Sequence, residues 1–133
     1  MASDDLLSEM TELFSAMLSE AMASRFSRLL AMKPERWARI DPWKVWRDPP
    51  FSEPHVAEVT YREALMMPLL RPHLDRRVCV LRCGHSAPSL GREPLRGVLD
   101  NSSYVLDGFV SIVRGKLGIA INHDGRVCTL HKL

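Results

Sequence analysis

The chain has 133 residues, 46% hydrophobic and 26% charged, the composition of an ordinary globular domain rather than of a disordered, collagenous or membrane-embedded protein. A domain of this size buries roughly 68% of its unfolded surface, so one core suffices and residues 1–133 read as a single domain. Eighteen basic against 16 acidic residues leave a net charge of +2, which lacks the large cationic excess that drives non-specific phosphate binding.

The opening Met1-Ala2-Ser3-Asp4-Asp5 is acidic where a secretory signal is basic, and no apolar run approaches membrane-spanning length. A cytoplasmic location away from membranes is therefore expected. Three cysteines, Cys79, Cys83 and Cys128, are too few and odd in number for a disulfide framework.

From Asp4 to about Met32 apolar residues recur at helical spacing, among them Leu6, Met10, Leu13, Phe14, Met17, Met22, Phe26 and Leu30. Ser3, Asp4 or Asp5 can cap the first amides, while Arg25, Arg28 and Lys33 near the far end suit the helix dipole, so one long helix is predicted. Its methionines (Met10, Met17, Met22, Met32) are adaptable enough to serve either a core or a partner surface.

Residues 33–54 are dense in Trp, Arg and Pro and predict short turns started by proline. Residues 55–74 combine strand-like composition at 55–61 with helix formers at 62–67, and are read as one helix. Arg77–Arg82 is the first clear strand, and Gly84 to Gly97, with its glycines and prolines, reads as a long loop. Tyr104–Arg114, Leu117–Asn122 and Arg126–Leu130 then predict an antiparallel meander turned at Gly115-Lys116 and His123-Asp124-Gly125. The fold class expected is α+β, with N-terminal helices (about 4–74) packed on one face of a C-terminal antiparallel sheet of about four strands (about 76–133).

Chemistry-bearing patterns are sparse. Cys79, Cys83, His85 and Cys128, with His123 and His131, are the residue types zinc selects, although the spacing matches no familiar finger. Buried cysteines acting as small hydrophobes are the plainer reading. Cys83 beside His85 contains the parts of a thiol nucleophile and its base, but a chain of this length offers such pairs by chance. The glycines form no phosphate-binding loop, dinucleotide fingerprint or nucleophile elbow. No motif implies a cofactor or an enzymatic activity.

Trp37, Trp43 and Trp46, interleaved with Arg39 and Arg47, are residue types that anchor protein interfaces; the same tryptophans can equally close the core beneath the long helix. His85 and Arg92 in the expected loop are added to the partner-binding candidates. Small domains of this composition include stoichiometric inhibitors such as the immunity proteins that neutralise bacterial toxins, an analogy of size rather than of residues. The expectation is thus a binder of another protein, such as a toxin or enzyme it inhibits. The alternatives are a nucleic-acid-binding regulator and a Cys/His zinc-site protein.

Overall fold

The computed structural model describes residues 3–42, 55–83, 88–100 and 107–132. Its helices and one antiparallel sheet make an α+β architecture, with the first two helices preceding every strand. The sheet has six strands, more than the four expected: β1 (His55–Thr60), β2 (Arg77–Arg82), β3 (Ser89–Pro94), β4 (Gly108–Val113), β5 (Leu117–Ile121) and β6 (Arg126–His131). Their order is β1-β6-β5-β4-β2-β3. The predicted meander of β4, β5 and β6 is present, with β1 added to its β6 side and the β2–β3 hairpin to its β4 side.

The single long helix expected over residues 4–32 is two helices, α1 (Asp4–Met17) and α2 (Glu20–Leu30). Leu18 is extended, and the Ser19 hydroxyl accepts from the Met22 amide at 3.3 Å, capping a new start. The apolar periodicity runs across the break because Leu18 and Met22 are buried at the corner. Phe14 of α1, Phe26 of α2 and Phe109 of β4 meet edge-on or tilted, with ring centroids 5.1–5.9 Å apart, and so hold both helices on the sheet.

Residues 55–60, expected as helix, form the edge strand β1, paired with β6 in antiparallel register from His55 opposite His131 to Thr60 opposite Arg126. The helical parts of 55–74 are Tyr61–Met66 (α3) and a short 3₁₀ helix at Arg71–His73; α3 is started by a capping box in which the Glu63 amide donates to the Thr60 hydroxyl and the Thr60 amide to the Glu63 carboxylate. The long loop expected between Gly84 and Gly97 contains the edge strand β3 and the first half of α4 (Leu95–Asp100). Pro94 closes β3 at the sheet's border, where a missing amide donor is tolerated.

Both faces of the sheet are covered, not one. α1, α2 and the 3₁₀ helix Pro34–Arg39 pack on the face carrying Cys79, Leu81, Phe109, Ala120, Cys128 and Leu130. α3 and α4 cover the other, built from Val78, Val80, Val110, Ile119, Ile121 and Val127. Every residue of β5 and all but the last of β4 is accordingly buried.

α1 approaches β5 closely at Gly118, where an added Cβ would stand 2.4 Å from Leu13 Cδ1 and 2.7 Å from the Val110 carbonyl oxygen. We expect Gly118→Ala to destabilise the fold by about 1–3 kcal/mol through overpacking, read as a lowered urea midpoint. An unchanged midpoint would show that α1 does not sit this close to the sheet.

Candidate interaction surface

Ser19 turns the chain so that α2 returns along α1, bringing its C-terminal end beside the start of α1. There an open groove of about 670 Å³ is lined by Ser3, Asp4 and Leu7 of the first helix, by Leu30, Ala31, Met32 and Lys33, and by Pro34 and Trp37. Trp37 is 4% exposed, and its indole N–H donates to the Leu30 carbonyl at 3.1 Å. That carbonyl is the last of α2, beyond the reach of the Ala31 and Met32 amides that serve Ser27 and Leu29, so the tryptophan both finishes the helix and walls the groove. Met32, by contrast, is 47% exposed.

The wall supplied by α1 is held by ion pairs. Arg92 of β3 reaches Asp5 at 3.1 Å and the buried Glu9 at 3.0 Å. Arg114, in the β4–β5 turn, contacts Asp5 at 3.2 Å, the Ser8 hydroxyl at 2.7 Å, and Glu12. Asp5, Ser8, Glu9 and Glu12 lie three or four residues apart along one side of α1, so two arginines reach all four.

Cations elsewhere on the sheet are also committed. Arg82 makes a two-pronged pair with Glu93 at 2.6 and 3.1 Å, Arg96 pairs with Asp75, and Arg126 with Glu58. Between residues 25 and 39, Arg25, Arg28, Lys33, Arg36 and Arg39 are exposed and make no ion pair among the described residues, as is true also of the more scattered Arg62, Arg71, Arg76, Arg77, Lys116 and Lys132. Arg25 and Arg28 share a side of α2 that continues to Ala31 and Met32. In the 3₁₀ helix, where residues three apart eclipse, Arg36 and Arg39 share a side and Pro34 and Trp37 share the side that meets the groove.

The partner-binding candidates thus separate. Trp37 is a groove wall anchored in the core, Arg39 is exposed, and Arg92 is engaged internally by α1. Trp43, Trp46, Arg47 and His85 lie outside the described residues. Composition did not single out Leu7, Ala31 or Lys33; the signal for Met32 was its place in the methionine stripe.

Cys79, Cys83 and Cys128 face the same core, but β6 is not beside β2: β4 and β5 intervene, a separation of roughly 14 Å at the usual strand spacing. Among the described residues no three His, Cys, Asp or Glu side chains are placed to hold a metal ion. Burial pushes the Cys79 and Cys128 thiols up to about 12 and Cys83 higher still, so all three remain protonated and poorly nucleophilic. His123 is turned to Asp107, its Nδ1 3.2 Å from Oδ1. At the other face a smaller cleft of about 440 Å³ is lined by Thr60, Tyr61, Arg62, Leu65, Leu99, Asp100 and Gly125; burial raises the Tyr61 hydroxyl to about 12, leaving it neutral.

Comparisons with protein-family models, with curated proteins and with solved structures found no match. No helix among the described residues is long and apolar enough to cross a membrane.

Two outcomes follow from this geometry. Trp37→Phe leaves the Leu30 carbonyl without its donor and should cost about 1–3 kcal/mol in chemical unfolding; a loss near zero would place the indole outside the core. The buried thiols and Tyr61 ionise at higher pH in the folded than in the unfolded chain. Their stabilisation is therefore complete below about pH 9 and lost progressively toward pH 12, so the urea midpoint should fall over that window. A midpoint flat across it would contradict the burial of these groups.

Proposed function

We propose that this chain is a protein-binding module acting by stoichiometric association. The observation that carries the reading is the groove between the start of α1 and the α2–3₁₀ junction, apolar at Leu7, Leu30, Ala31, Met32, Pro34 and Trp37. A concave apolar surface braced by a buried tryptophan and by ion pairs on α1 is pre-organised, which lowers the cost of ordering on association. An inhibitor of a partner protein, such as a toxin or an enzyme, is the form of this activity that the chain's size suggests. The buried, protonated thiols favour binding over catalysis by cysteine.

A second reading, a nucleic-acid-binding regulator, draws on the exposed cations of α2 and the 3₁₀ helix, which make no ion pair among the described residues. It requires affinity that falls steeply with salt as phosphate contacts release counterions.

The test is affinity capture of the tagged chain from lysate of its own source, with and without nuclease, followed by sizing of the recovered complex. A single protein partner at fixed stoichiometry, retained after nuclease, is the expected result, and Trp43→Ala with Trp46→Ala should weaken it by about 2 kcal/mol or more if those tryptophans act as anchors. Recovery of nucleic acid alone would replace this reading with the second.

A further inference from the structure

Resting on the protein-binding reading, we propose that the α1–α2 groove receives an acidic segment of a partner protein, its apolar side chains seated against Met32, Ala31 and Trp37 and its carboxylates on the surrounding cations. The groove's free volume of about 670 Å³ admits a few large side chains, and Met32 already exposes 47% of its surface there.

Charge selects the partner. From Arg25 to Arg39 the chain carries Arg25, Arg28, Lys33, Arg36 and Arg39 against one carboxylate, Glu35. Lys33 lines the groove, Arg28 stands one turn before Ala31 and Met32 on the same side of α2, and Arg36 adjoins Trp37. Asp4 is the groove's one acidic lining residue, and it sits in the first turn of α1, where the helix dipole favours a negative charge. The other acids of α1 are unavailable to attract a basic partner, because Asp5, Glu9 and Glu12 are paired with Arg92 and Arg114. An acidic segment meets complementary charge on approach, whereas a basic one meets repulsion from every cation near the groove.

The full chain, immobilised through a terminal tag, is used to select from a displayed library of random peptides of about 16 residues, long enough for about four helical turns. A second selection uses the Met32→Glu, Lys33→Glu double variant, whose changes fall on exposed residues and whose fold is verified by its thermal midpoint. We expect the wild-type chain to enrich peptides of net negative charge carrying two or more large apolar residues. A synthesised winner should lose about tenfold or more in affinity on the double variant, on Arg36→Glu, and on raising salt.

Enrichment of neutral or basic peptides, equal binding to the double variant, or no enrichment overturns the proposal. A labelled single-stranded oligonucleotide that binds in place of any peptide and is lost on Lys33→Glu, Arg36→Glu assigns the surface to nucleic acid and overturns it as well. If a partner recovered from lysate binds the double variant undiminished, the groove assignment fails while the protein-binding reading stands.

Discussion

The meeting of Phe14, Phe26 and Phe109 is the contact on which the rest of this fold depends. Phe109 lies in a central strand, and each of the other rings belongs to a different helix. Met22, Ala23 and Leu30 of α2 are buried in the same core, but Phe26 is the residue that carries the helix onto the ring of a central strand. With that three-way contact, α2 is held on the sheet by Phe26, its C-terminal end is fixed, and Trp37 finds the Leu30 carbonyl. Each of these rings is essentially inaccessible to water, so burial and edge-on packing act together.

Charge is distributed around this core unevenly. Asp5, Glu9 and Glu12 of α1 are neutralised by arginines from β3 and the β4–β5 turn, and the strand pairs at the two borders of the sheet are laced by Arg82–Glu93 and Arg126–Glu58. Most of these pairs are half-exposed and individually worth little, but Glu9 is buried, and removal of Arg92 would strand its charge. The internal pairing leaves α2 and the 3₁₀ helix as a region of unbalanced positive charge. A net charge of +2 for the whole chain conceals this, because electrostatic steering depends on where charges are paired rather than on their sum.

The α+β class and the β4–β5–β6 meander were legible because turn chemistry is local: Gly115 and Gly125 do adopt positive φ, and the apolar runs between them are strands. The helix break was not, since Leu18 is buried and continues the apolar stripe; its only local mark is Ser19 followed by Glu20. β1 was lost to the helix formers after it, although Thr60 and Glu63 marked where that helix begins. β3 was lost to Gly91 and Pro94, which read as loop but are admissible on an edge strand. The second helical layer had a sign in the sequence too: β2, β4 and β5 are continuous apolar runs rather than alternating ones, as strands covered on both faces must be.

The groove was less legible because it is a product of the break at Leu18. Had α1 and α2 formed one rod, residues 4 and 30 would be separated by roughly 39 Å at 1.5 Å per residue, and Leu7 could not share a surface with Met32. Folding back at Ser19 brings the ends together and leaves them flush at a concave apolar surface. The same turn decides the fate of the tryptophan. Beside a returning helix whose final carbonyl, Leu30, accepts from the indole, Trp37 gains a hydrogen bond and a packed site, so its residue type alone could not say whether it faced the core or a partner. Its neighbours Arg36 and Arg39, which find no such acceptor among the described residues, keep their charge at the surface, where it is available to a second molecule.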